Sequence, residues 1–342
     1  MTAASAQAFI TGLGHFLPAR VVTNADLPSP LNADPAGITK RTGIERRHWV
    51  DGKVYTSDLA VEASRAALAA AHLGPGDLDC IIAATLSPDH AFPGIGVYIQ
   101  HKLGAPHIPA YDVRNQCSGF LYALNMARAF VAAGVYSKVL VACAELHSHA
   151  MGKTAMHAHI TPLFGDGAGS VVVCSEPAPH GGGFAIDYVR VYSDGSGAHR
   201  LRQRVWDVSV DPFMDWSQVC DSSEAMWYAE MDGQFIFRKA VAGMAAAAQG
   251  ALQECELTLA DIDWVVPHQA NLNINKTVGS VLKLPPEKLL SNIQRVGNTT
   301  AASIPILLSE SVRDGVISTG HRVLSLAFGA GLTWGAALLR HL

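Results

Sequence analysis

The stretch "LDCIIAATLS" (78–87) decides how the chain is read. It is a short apolar, β-branched run with no polar alternation, the pattern of a strand buried on both faces. It follows "SDLAVEASRAALAAAHLG" (57–74), a helical pattern for which Ser57 is the expected N-cap and Gly74 the expected stop. The same order returns in the second half. An Ala-rich helix "FRKAVAGMAAAAQGALQECEL" (237–257) precedes "IDWVVPH" (262–268). Strand-like runs also stand at "SKVLVACAE" (137–145), "GSVVVCSE" (169–176) and on both sides of a Gly-rich turn in "HRVLSLAFGAGLTWGAALLRHL" (321–342), and "TAASIPILLSESVRDG" (300–315) reads as helix. Alternating helices and continuous apolar strands predict an α/β fold with a covered, parallel or mixed sheet. The echo predicts two similar halves, 1–178 and 179–342, divided near "EPAPHGGG" (176–183). The segment 195–235 lacks periodicity and is expected to be an elaborated loop.

Composition narrows the function. The 342 residues are 49% apolar and 16% charged, with a net charge of −4, which supports a large core and gives no electrostatic footprint for nucleic acid or an anionic membrane. No apolar run approaches the ~20 residues of a membrane span. The opening "MTAASAQAFITGLG" lacks the basic start and apolar core of a secretory signal. Six scattered cysteines (Cys80, Cys117, Cys143, Cys174, Cys220, Cys255) suggest reduced thiols in a cytoplasmic protein rather than a disulfide framework.

Three polar residues stand where chemistry would need them. In "DVRNQCSGFLYALNMARAF" (112–130), Cys117 ends an extended run and begins a helix whose apolar stripe includes Phe120, Leu121 and Leu124. Unpaired N–H groups at a helix start favour an anion, so the position predicts a thiol of lowered pKa and a nucleophile. A small buried hydrophobe is the alternative, and it suits the other five cysteines. His268 follows a buried strand and Pro267, where α/β sheets meet ligands, although a histidine satisfied by backbone would look the same. Asn298 in "RVGNTTAASIP" precedes a helix, as an N-cap would. Taken together they suggest a thiol nucleophile, an imidazole and an amide donor. The turn "FGAGLTWG" (328–335) could present N–H groups to an oxyanion, or be an ordinary hairpin.

Weaker patterns are set aside. "GLGHFL" (12–17) is half of a dinucleotide fingerprint, with Leu17 where a glycine belongs. His147, His149, His157 and His159 lack zinc-ligand spacing, so no metal is expected. "FGDGAG" with Asp166 reads as a structural turn.

The set "DVRNQCSGFLYAL", "FGDGAGSVVV", "VPHQANLNI", "GNTTAASIP" and "AFGAGLTWGAALLR", with "KRTGIERRHW" near the start, resembles the β-ketoacyl-acyl carrier protein synthase III family of the thiolase superfamily. The resemblance runs nearly end to end. It implies a five-layered α/β/α/β/α thiolase-like fold and a homodimer. It implies that Cys117 is acylated by a thioester, with the amides of Cys117 and Ala330 holding the oxyanion. His268 and Asn298 would then stabilise the enolate left when a malonyl thioester loses CO2, and the carbanion would attack the acyl group. Phe328 and Phe92 would bound the acyl pocket, Phe92 from across the dimer, and Arg41 and Asn271 would bind substrate. Acyl-CoA and acyl- or malonyl-acyl carrier protein would be substrates, and no resident cofactor is implied.

The sequence departs from the family pattern in several places. Gly37 stands where many members have a tryptophan, Asn273 replaces a basic residue, Ala330 replaces a glycine, and Gln116 replaces a small residue. These departures suggest an altered donor preference and a specialised role. The cluster His199, Arg200, Arg202 and Arg204 would meet a phosphopantetheine arm or remain a solvated loop. Transfer of the acyl group to a hydroxyl, an amine or a β-ketoacyl acceptor, with His268 as general base, is the alternative reaction. A cysteine peptidase shares the Cys…His…Asn order but not the residues flanking Cys117. A non-catalytic partner subunit would be expected to have lost one of the three residues.

Overall fold

A computed structural model describes residues 7–203 and 229–342. Thirteen strands are named along the described chain: β1 Phe9–Phe16, β2 Val21–Thr23, β3 Arg46–His48, β4 Cys80–Ala84, β5 Ala110–Val113, β6 Lys138–Glu145, β7 Gly167–Cys174, β8 Phe184–Ser193, β9 Leu201–Gln203, β10 Ala229–Met231, β11 Trp264–Pro267, β12 Arg322–Gly329 and β13 Thr333–His341. Nine of them form one mixed sheet in the order β11-β12-β13-β8-β1-β7-β6-β4-β5. The strand pairs β4–β5, β4–β6 and β11–β12 are parallel, and the others in the sheet are antiparallel. Among the described residues, only Phe9↔Ala185 and Ile10↔Phe184 join the strands before the Pro- and Gly-rich connection to those after it. The Pro- and Gly-rich connection lies between β7 and β8.

Each buried strand divides its side chains between two cores, as a period of two requires. Cys80, Ile82 and Ala84 of β4 face a central layer built on the helices Gly119–Ala132 and Ser303–Arg313, and Val323, Ala327 and Ala337 of β12 and β13 enter the same core. Ile81 and Ala83 face the helices Thr56–Ala70 and Ile95–Leu103 on the outside. Leu324, Leu326 and Leu338 face the outer helices Gly233–Glu254 and Leu272–Leu282. Helices therefore alternate with sheet in five layers, the thiolase-like arrangement. Gly14 permits part of the close packing, because a Cβ there would lie 2.3 Å from the backbone nitrogen of Ala67.

Two local expectations differ. The helix Thr56–Ala70 already contains Ser57 in its first turn, so Ser57 Oγ does not cap it and donates to Asp89 instead, at 2.5 Å. His72 takes the left-handed conformation after the helix end (φ 54°), ahead of Gly74. The part of 195–235 that is described includes a turn, Gly195–Arg200, and the antiparallel pair β9–β10, and 204–228, with Arg204 and Cys220, lies outside the described residues.

Candidate active site

The parallel strands β4, β5 and β6 and the parallel strands β11 and β12 all end beside one cavity of about 530 Å³. Ser87, Cys117 and His147 come from loops after the first three, His268 from the loop after β11, and Phe328 and Gly329 from the end of β12. Asn298, Ala330 and Asn271 also line it.

Cys117 sits in the tight turn Gln116–Ser118 that leads into the helix Gly119–Ala132. Gln116 adopts a positive φ of 42°, unfavourable for a side chain bearing Cβ, and this sharp turn presents the next residue to the cavity. The turn is tied to the second half of the chain. The hydroxyls of Ser118 and Thr333 are 2.6 Å apart, and Thr333 Oγ1 donates to the carbonyl of Ala330 at 2.9 Å. Gly329 packs directly on the Cys117 turn, since an added Cβ would lie 3.0 Å from the nitrogen and 3.1 Å from the Cβ of Cys117. The acylation of Cys117 that the sequence resemblance implies is therefore expected to slow in Gly329→Ala, by up to about 100-fold, the scale that a misplacement near 1 Å can cost. Cooperative thermal unfolding should stay within a few degrees of wild type, and intact-mass kinetics together with a melting curve check both.

His268 and Asn298 are held by their neighbours so that polar atoms remain for a ligand. His268 Nδ1 shares a 2.7 Å hydrogen bond with Ser303 Oγ, while its buried Nε2 has no partner. Ser303 Oγ also accepts the N–H of Gln269 at 3.3 Å. Asn298 Oδ1 accepts the N–H of Thr300 at 2.8 Å, which assigns the oxygen and leaves the Nδ2 donors for the cavity. The Asn298 backbone is clamped by Leu163 O and Gly165 N at 2.8 and 3.0 Å.

The electrostatics correct one sequence expectation. Burial, followed by the charge of Glu145, pushes the Cys117 thiol up to about 12 rather than down. The thiol is part-exposed, but only toward a cavity deep in the protein, so the low-polarity surroundings outweigh the helix start. The Cys117 thiol is therefore neutral at pH 7 and would need a base to act as a nucleophile. Burial lowers His268 to about 3, so its ring is neutral at pH 7. Glu145, pushed up to about 7 by burial, accepts from Ser87 Oγ at 2.9 Å and from the N–H groups of Leu86 and Ala301 at 3.1 and 3.4 Å.

These shifts give stability a pH dependence. His268 and His147, both lowered from 6.5 to about 3, take up protons in the unfolded chain first, so stability falls as pH drops below 6.5. Glu145, raised from 4.5 to about 7, acts oppositely, and its contribution is gained as pH falls from about 7 to 4.5. Between pH 6.5 and 4.5 the two histidines outweigh the one carboxyl, so the three groups together lower stability as pH falls. Glu145→Gln should make the decline about twice as steep, which urea unfolding at stepped pH will measure.

Two other anticipated site residues lie off the cavity. Phe92 is 85% exposed. Arg41 is exposed and bonded to Asp34 at 3.0 Å; only its carbonyl approaches the site, accepting from Asn271 Nδ2 at 3.1 Å. Arg200 and Arg202 pair with Asp232 and Glu230 at 3.2 and 3.3 Å, so much of the basic cluster is already neutralised. Sequence reasoning passed over Ser303 and Glu145, which carry no motif beyond ordinary helix and strand ends. It weighed His147 only as a metal ligand. Among the described residues no helix is long and apolar enough to cross a membrane.

The chain matches the family described as 3-oxoacyl-[acyl-carrier-protein (ACP)] synthase III over residues 111–202, and the C-terminal part of the same family over 252–341. It is 39% identical to a β-ketoacyl-[acyl-carrier-protein] synthase III of Dinoroseobacter shibae, covering 98% of this chain and 99% of that protein. Its fold is similar to the crystal structure of 3-oxoacyl-[acyl-carrier-protein] synthase III from Aquifex aeolicus, at a TM-score of 0.86 and 36% identity, covering 98% of this chain and 100% of that one. It is also similar to the priming β-ketosynthase of the R1128 polyketide biosynthetic pathway, at a TM-score of 0.85 and 31% identity, covering 98% of this chain and 96% of that one.

Proposed function

The chain belongs to the 3-oxoacyl-[acyl-carrier-protein] synthase III family, and from that premise we propose a two-stage acyltransferase in which Cys117 carries the acyl group. The observation that supports this most is the shared cavity: a thiol, a neutral imidazole and an oriented carboxamide, from separate loops, line one apolar chamber.

In the first stage the neutral Cys117 thiol attacks the carbonyl of an acyl thioester, supplied on CoA or on acyl carrier protein. Its proton passes to His268 Nε2 and then to the departing thiolate, as the new S–C bond forms and the old one breaks. The amides of Cys117 and Ala330 receive the oxyanion. In the second stage a malonyl thioester loses CO2. The enolate oxygen accepts hydrogen bonds from His268 Nε2–H and Asn298 Nδ2, its carbon attacks the acyl group, and the thiolate leaves and takes a proton from water. Ser303 suits both stages, because a hydroxyl can accept from or donate to Nδ1 and so supports either imidazole tautomer. Asn271 lines the chamber for substrate, Arg41 supports it by accepting from Asn271 Nδ2 through its carbonyl, and Phe328 bounds the acyl pocket. Phe92, with Val97 and Tyr111 also exposed near the β5 edge, serves a homodimer contact. The enzyme works in the cytoplasm and needs no resident cofactor.

Incubation with an acyl thioester and a malonyl thioester tests the reading. It expects equal amounts of CO2 and β-ketoacyl thioester. Acyl transfer without CO2 would replace it with the alternative transfer to another acceptor.

A further inference from the structure

Among the described residues, two buried imidazoles line the cavity with Nε2 unpartnered, His268 and His147. The mechanism uses only the first. His147 is 1% exposed, and its position is fixed through the backbone rather than through the ring. Its N–H donates to Asp166 Oδ1 at 2.7 Å, and the same carboxylate accepts Ser148 N at 2.9 Å and Val50 N at 2.8 Å. Asp166 of the "FGDGAG" turn thus anchors the His147 loop. The ring packs edge-on against Phe164, with centroids 4.7 Å apart. Phe164 in turn pairs in an isolated bridge with Asn298.

The chamber that this ring lines is largely apolar, with Met151, Leu163, Phe164, Ile236 and Met244 among its walls. A plain alkyl chain filling that space would leave a dry imidazole with a hydrogen-bonding nitrogen unmet, which is the costly situation for a buried polar group. Burial keeps the ring neutral, lowering it to about 3, so it offers one donor and one acceptor and no charge. Water could satisfy it only while the chamber stays wet, and an acyl chain displaces that water.

We propose that His147 is a specificity-determining residue and that the cavity takes an acyl thioester whose chain carries a hydrogen-bonding oxygen, a keto or hydroxyl group, in preference to an unsubstituted alkyl chain. The inference rests on the reading that Cys117 is acylated. A site built to bond an oxygen discriminates strongly against the analogue that lacks it, whereas an apolar pocket discriminates weakly between chains of similar size.

The test measures loading of Cys117 by intact mass at limiting concentrations of four CoA thioesters of one chain length: octanoyl, 3-oxooctanoyl, 3-hydroxyoctanoyl and 8-hydroxyoctanoyl. At least one oxygenated chain should load about 10-fold or more faster than octanoyl, a modest share of the discrimination such sites reach. His147→Leu should bring that ratio to about one or below, and His147→Gln, which keeps a donor and an acceptor, should retain part of it. Should the Leu variant fail to show cooperative unfolding, the wild-type and Gln ratios decide. Octanoyl loading as fast as every oxygenated chain, or a ratio unchanged in His147→Leu, overturns the inference and leaves acylation of Cys117 standing. No loading from any of the four chains, whether carried on CoA or on acyl carrier protein, overturns both.

Discussion

Cys117→Ala is expected to abolish the acyl adduct and to lower condensation by at least on the order of 10⁴-fold, the scale on which enzymes lose rate when the covalent nucleophile is removed. The same variant should still release CO2 from a malonyl thioester, within about tenfold of the wild-type rate measured without acyl donor. His268 and Asn298 are positioned by Ser303, Thr300 and the backbone of Leu163 and Gly165, none of which depends on the thiol. The two stages would thereby come apart in one protein. An adduct that persists in Cys117→Ala would show that another residue carries the acyl group.

Asn298→Ala has the second-largest expected effect, in the complementary direction. Removing one preorganised donor to a developing oxyanion costs about 10²–10³ in rate. Because Asn298 is assigned to the enolate and not to the tetrahedral intermediate of acylation, that loss should fall on CO2 release and condensation, while acyl loading stays within a few-fold of wild type. Single-turnover loading and CO2 release, measured separately, give the split. Equal losses in both would mean that Asn298 serves the chamber as a whole, through its bond to Thr300 N and its place beside Phe164.

Much of this was legible in the sequence, for identifiable reasons. Continuous apolar runs such as 80–84 and 139–144, short and bounded by turn signals, read as strands covered on both faces, and the structure sorts their alternate residues into the central and outer cores. Cys117, His268 and Asn298 stand at strand ends and helix starts, positions with local signatures. What escaped depends on contacts between distant segments. The lowered thiol pKa expected for Cys117 followed from the helix start alone. Only the fold brings the buried Glu145 near it, and only the fold closes the chamber. Ser57 looked like a cap because the preceding Thr56 gave no sign that the helix had already begun. Arg200 and Arg202 looked free because the acids that meet them stand about 30 residues later, on or beside the paired strand β10, beyond any local pattern. His147 looked like half of a weak metal pattern until Asp166 and Phe164 placed it in the wall of the cavity.

The most direct test of the central claim is a pulse and chase followed by intact mass and peptide mapping. The wild-type protein is loaded with an acyl thioester and then given malonyl thioester labelled with ¹³C at the free carboxylate. The expected result is a single acyl increment on the peptide carrying Cys117, which disappears as an equal amount of ¹³CO2 is released. An increment on another peptide, or one that outlasts the chase with no labelled CO2, would contradict the account.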